Sequence, residues 1–241
     1  MLNQINHWME YVAAAIDLVL LLRILGLRLQ RTYVFLTLAS AVAVVFDVAS
    51  LRFGDEVPRV QIYGELFMAL IFPLAVWDIF EEIAGAVAAL RRMAMLRTLA
   101  SLVIMFFFGL IWLTYLGQAD DPSGLLFVLG LSLFVSTCSA AACLSFLWIM
   151  RRGMNLQKIP TPRNTSVWMM FYMLSMAGLL AYWFVLIMEE MMSEPVRNAV
   201  SPGVNLFLNV YGIVVTIWCA VKLRGLPKDI AASVSETEPG P

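Results

Sequence analysis

From Pro122 to Met150 the chain runs 29 residues without an Asp, Glu, Lys or Arg. Roughly 20 apolar residues in a helix rising 1.5 Å each cross a bilayer, so this run is long enough to span with tilt. Seven such apolar runs are separable: 9–27, 32–51, 60–80, 98–117, 124–150, 165–188 and 204–223. They show no strict apolar–polar alternation. Backbone groups in hydrocarbon must bond within their own segment, so these runs predict helices. The expected fold is therefore all-α: a polytopic membrane protein, with a seven-transmembrane-helix bundle over residues 1–226 and a disordered polar tail over 227–241.

Composition agrees with this pattern. Of the 241 residues 61% are hydrophobic and only 14% charged, against about 45–50% and 25% in soluble domains. No basic residue precedes the first apolar run, so that run is expected to be a retained helix and not a cleaved signal.

Charge placement sets the expected orientation. With the N-terminus outside, twelve of the sixteen basic residues fall in inner loops or the tail. They are Arg28, Arg31, Arg91, Arg92, Arg97, Arg151, Arg152, Lys158, Arg163, Lys222, Arg224 and Lys228. The outer loops are acidic, with Asp55, Glu56, Asp120, Asp121, Glu189, Glu190 and Glu194. The positive-inside rule then puts the C-terminus in the cytoplasm, and the expected location is a bacterial-type inner membrane. Trp8, Trp112 and Trp183 fall near outer ends of the runs, and Trp77, Trp148, Trp168 and Trp218 near inner ends, as interfacial belts would have them.

Between the third and fourth runs, residues 81–97 read as an extension of the third helix or a helix along the inner surface. Residues 189–203 read as the longest outer loop, with Pro202-Gly203 resetting the chain before the seventh helix.

Charges at membrane depth cost roughly 2.5–3.5 kcal/mol each at a helix centre on insertion scales, so each needs a reason. Asp17 lies mid-membrane on the first helix, Asp47 and Glu65 in the outer halves of the second and third, and Asn205 and Asn209 at a similar level on the seventh. These five are the candidate ligand or proton pocket. Small and polar stripes at helical spacing (Ser40, Ala43, Asp47 and Ser50; Gln61, Glu65 and Ala69; Ser132, Ser136, Ser139 and Cys143; Ser175, Gly178 and Tyr182; Asn205, Asn209, Gly212 and Thr216) predict helix–helix contact faces. Arg23 and Asp78 are both inner-half residues and a candidate structural ion pair. Pro73 should kink the third helix. Arg91, Arg92, Arg97, Arg151 and Arg152 form a candidate cytoplasmic docking or lipid-contact face.

Several functions are disfavoured. The lysines (Lys158, Lys222 and Lys228) all lie at or beyond the inner face, so no mid-helix Schiff base is available for retinal. One histidine cannot build a multi-His metal or haem centre. No hydrolase elbow or phosphate-binding loop is present. The expectation is a non-enzymatic sensing, binding or scaffold module without cofactor, metal or nucleic-acid partner, working with the bilayer and a cytoplasmic or membrane partner protein. In layout alone it resembles the seven-helix sensory modules of bacterial receptors. A small proton-coupled carrier using the intramembrane carboxylates and an accessory subunit of a larger complex are the alternatives.

Overall fold

A computed structural model describes residues 2–53, 57–81, 83, 87–100, 103 and 125–225. Every regular element among them is helical. In chain order these are α1 (Leu2–Gly26), α2 (Val34–Arg52), α3 (Val57–Glu81), α4 (88–100), α5 (Leu125–Gln157), α6 (Arg163–Met191) and α7 (Glu194–Lys222). Five of them hold stretches long and apolar enough to cross a membrane: α2, α3, α5, α6 and α7. This fits a membrane-embedded helical protein. α1, which carries Glu10, Asp17 and Arg23, is not among the five. The expected fourth run (98–117) lies almost wholly outside the described residues, as do the tail and the acidic residues Asp55, Glu56, Asp120 and Asp121.

Six helices close a ring: α1 touches α2, then α3, α5, α6 and α7 follow, and α7 returns to α1. α3 also reaches α6 across the middle. The two helices furthest apart in sequence thus lie side by side and parallel. Asn6 Nδ2 donates to the Pro202 carbonyl at 3.1 Å near one end, and Arg23 Nη2 to the Leu223 carbonyl at 3.1 Å near the other.

The end where α1, α3, α5 and α7 finish gathers Arg23, Arg28, Arg31, Arg91, Arg151, Arg152, Arg163, Lys222 and Arg224. This basic end is also where the core is densest. Ile24, Tyr33, Leu36, Ile79, Leu147, Met150, Trp168, Cys219 and Leu223 form one buried cluster there. Polar groups secure it. Asn164 at the start of α6 donates to the Arg224 carbonyl at 2.8 Å and accepts from the Arg224 N–H at 3.1 Å, fixing the chain as it leaves α7. Two basic residues, Arg28 (φ 57°) and Lys158 (φ 54°), adopt the left-handed conformation at the turns after α1 and α5. After α5 this allows the Ile159 N–H to reach back to the Met154 carbonyl at 3.0 Å, a Schellman-type closure with lysine in glycine's usual place.

Three expectations are corrected. Residues 81–97 neither prolong α3 nor lie along the surface. α3 stops at Glu81, and helix resumes at 88 as α4, whose Val87–Ala94 flank is buried against α3 and α5. Leu90 packs so closely on Gly153 of α5 that a Cβ there would sit 2.3 Å from it. Residues 189–203 are not a loop: α6 runs to Met191 and α7 starts at Glu194 with a proline in its first turn. Pro195 in that position, after an acidic residue, marks a helix start more strongly than Pro202-Gly203 marks a break. Pro202 is carried inside α7. Finally, Trp168 and Trp183 are buried within the bundle, whereas Trp8, Trp77 and Trp148 are exposed as belt residues should be. Trp168 meets Tyr33 edge-on, and the two rings fill the centre of the basic end.

Candidate functional site

Packing fails along one side of the ring. Among the described side chains, the first buried residue of α1 is Leu20 and the first of α7 is Val215, and α2 has none beyond Ala39. All three helices therefore pack tightly only near the basic end. α3, α5 and α6 keep buried residues further out, with Ile62, Ser132, Ser136 and Trp183. Where the packing of α1, α2 and α7 gives out, three polar side chains meet.

Asp17 of α1 is in hydrogen-bonding contact with Asp47 of α2 and with Thr216 of α7. Each comes from a stripe that helical spacing lines up. Ser40, Ala43 and Asp47 share one face of α2, and Leu20, one turn from Asp17, turns α1 inward. A hydrogen bond between two carboxyls requires one of them to carry a proton, because a carboxylate only accepts. The second oxygen of Asp47, Oδ2, is buried without a hydrogen-bond partner.

Asp17 and Thr216 open onto a cavity of about 250 Å³ inside the ring. Ser40, Tyr172 and Ser175 supply further polar groups, and Phe72, Phe171, Met176 and Leu179 make the apolar wall. Ser40 is partly spent, donating to the Leu36 carbonyl of its own helix at 3.0 Å. On the basic side the cavity rests on the Ile24, Leu36, Trp168 and Cys219 cluster. The cavity offers a small guest the Asp17 carboxyl, hydroxyl groups and an aromatic wall; Asp47 stands behind Asp17 and does not line it.

The other expected pocket residues are not brought in. Glu65 lies at the level of Asp47, since Phe46 packs against Gly64, but it turns the other way, toward Ser136 of α5. The Ser136 hydroxyl is buried and completes no well-formed hydrogen bond, so that approach is loose. Asn205 folds back onto Ser201 of its own helix at 3.3 Å, and neither it nor Asn209 lines the cavity. Thr216 belongs to the α7 stripe that helical spacing lines up, and of that stripe it alone lines the cavity. It stands at helical spacing beyond Asn205, Asn209 and Gly212, one step further along the same face.

Arg23 and Asp78 do not pair. Each instead satisfies a helix end: Arg23 donates to the carbonyl of Leu223, the residue that closes α7, and Asp78 accepts from the Phe35 and Leu36 N–H groups at 2.5 and 3.0 Å. Those are orphan donors of the first turn of α2, where the helix dipole also favours an anion. A carboxylate from a neighbouring helix thus does the work of an N-cap, which Tyr33 at that position does not.

Of the five arginines of the expected docking face, Arg91 lies over the Trp77 ring, 3.4 Å from its centroid, and Arg151 donates to the Met170 sulfur. Arg92, Arg97 and Arg152 are exposed. The described residues contain no group of three or more His, Cys, Asp or Glu placed to hold a metal ion. Comparison with protein-family models, curated proteins and solved structures finds no match to this chain.

Proposed function

We propose that this protein is a seven-helix integral protein of a bacterial-type inner membrane, N-terminus outside and C-terminus cytoplasmic, that binds a small cationic or hydrogen-bond-donating ligand between Asp17, Asp47 and Thr216. The topology rests on the basic end, which the positive-inside rule assigns to the cytoplasm. The ligand site then opens from the outer half, and the dense core beneath it turns occupancy into a packing signal at the cytoplasmic face. The observation that carries the reading is Asp47 Oδ2: a buried acceptor with no donor, one side chain away from a cavity. Buried polar groups without partners cost about 1–3 kcal/mol, and a guest that supplies the donor recovers it. The reading is of a binding and sensing module because the described site joins a cavity to an acceptor without a donor.

The test is thermal unfolding of the protein in lipid nanodiscs with sodium, ammonium, methylammonium, guanidinium and choline titrated in turn. At least one of these cations should raise the midpoint in the wild type and lose that effect in Asp47→Asn and Asp17→Asn. If none shifts the wild type, or if both variants respond as it does, the reading fails.

The direct Asp17–Asp47 contact favours one second reading, a proton-coupled carrier, because two touching carboxyls can hand on a single proton. It requires pH-dependent flux in proteoliposomes that Asp47→Asn abolishes. Ligand-dependent stabilisation without flux leaves the sensing module.

A further inference from the structure

A second concavity lies outside the ring, where α4 packs against α3 and α5. Its volume is about 400 Å³, and its walls are almost wholly apolar: Val76, Phe80, Met95, Leu99, Ala142 and Phe146. Pro73, inside α3, also faces it. Exposed apolar residues flank it on the bundle's outer surface (Leu70, Leu74, Leu96), so it sits in a face suited to hydrocarbon.

Two features distinguish this groove from an ordinary lipid-facing crease. At its basic end stands Arg91, whose guanidinium is laid on the half-exposed Trp77 ring. That contact pins the cation at the mouth of the groove. Its N–H groups have no carboxylate or carbonyl partner among the described residues. Two turns deeper along α4, the Thr98 hydroxyl also lines the groove, and its oxygen is buried with no hydrogen-bond partner. An indole at the membrane interface, beside it a guanidinium with no acidic partner among the described residues, below it a hydroxyl without a hydrogen-bond partner there, and an apolar trough beyond follow the layout of a phospholipid: headgroup level, phosphate, glycerol esters and acyl chain.

We infer that this groove is a binding site for one anionic phospholipid, with its phosphate on Arg91, an ester carbonyl on Thr98 and an acyl chain between α3, α4 and α5. A peptide would bury backbone N–H and C=O groups along a trough whose only polar members are Arg91 and Thr98, and free phosphate would leave the trough empty. The site is distinct from the cavity inside the ring and does not depend on the ligand proposed there.

Native mass spectrometry of the full chain, released from mild detergent with equal phosphatidylglycerol and phosphatidylcholine, tests this. Phosphatidylglycerol should be retained in preference by about fivefold, the worth of one basic side chain at an anionic surface. Arg91→Gln should abolish the preference. Arg92→Gln removes the same charge from an exposed neighbour and should leave it intact. Ala142→Phe fills the trough with Arg91 in place and should lower retention of the lipid, which covers the case in which Arg91→Gln does not fold. Inorganic phosphate at millimolar concentration should not displace the lipid. Equal retention of the two lipids, equal loss in the Arg91 and Arg92 variants, or displacement by phosphate alone would overturn the assignment.

Discussion

Ser139 of α5 donates its hydroxyl to the Ala69 carbonyl of α3 at 2.7 Å, and Ala69 is the residue whose helical donor Pro73 has removed. In a regular helix the N–H of residue 73 would bond that carbonyl. A side chain from the next helix takes its place. The mid-helix proline and the small-residue stripe that sequence spacing picked out separately are thus two halves of one contact.

Ser139→Ala should therefore destabilise the protein by about 1 kcal/mol, between the average for interhelical bonds in membranes and the cost of a buried acceptor left unpaired. In a Pro73→Ala background the N–H returns, and the same substitution should cost much less. Reversible unfolding of the four proteins in mixed detergent micelles measures this coupling. An identical cost in both backgrounds would separate the hydroxyl from the proline.

Asp78→Ala should cost roughly 2 kcal/mol, since two buried N–H donors at the start of α2 lose their acceptor together. Asp78→Asn keeps an acceptor oxygen and should cost less than half as much. Hydrogen exchange localises the effect: the Phe35 and Leu36 amides should gain exchange rate in Asp78→Ala while the middle of α6 does not.

Asp17→Asn and Asp47→Asn should be coupled and not additive, because the two side chains share one contact. Interaction energies for touching residues fall at about 0.5–3 kcal/mol. Glu65→Gln serves as the reference: it faces α5, so its effect should add simply to that of either aspartate. Additivity within the Asp17–Asp47 pair would mean that they do not act together.

Gly178 of α6 lies under the Tyr211 ring of α7, and a Cβ there would come within 2.8 Å of it. The Tyr211 hydroxyl donates to the Leu174 carbonyl one turn away at 3.0 Å. Gly178→Val should displace the ring, break that bond and cost about 1–3 kcal/mol as overpacking. Adding Tyr211→Ala should recover part of the loss. Thermal unfolding of the single and double variants decides it.

What the sequence disclosed follows from how each signal is generated. Apolar run length and helical spacing are local, so helical character, the contact stripes and the separate importance of Asp17 and Asp47 are legible in it. Which charged residue meets which is not local. Arg23 and Asp78 share a depth, but helix ends compete for both and hold them, since orphan backbone groups lie nearer than the opposite charge. Glu65 and Asp47 likewise share a level and face opposite neighbours, a difference of helix rotation that depth alone does not contain. Trp168 shows the same limit: tryptophan near a helix end suits an interfacial belt, and only ring closure buries it against Tyr33.

The pairing of α1 with α7 also governs biogenesis. Arg23 and Leu223 bond across 200 residues of chain. Asp17 can find Asp47 as soon as α2 has been made, but Thr216 joins them only once α7 has been synthesised. Through most of synthesis α1 thus waits with one flank bare. A chain halted short of Thr216 is a barrel with a missing stave.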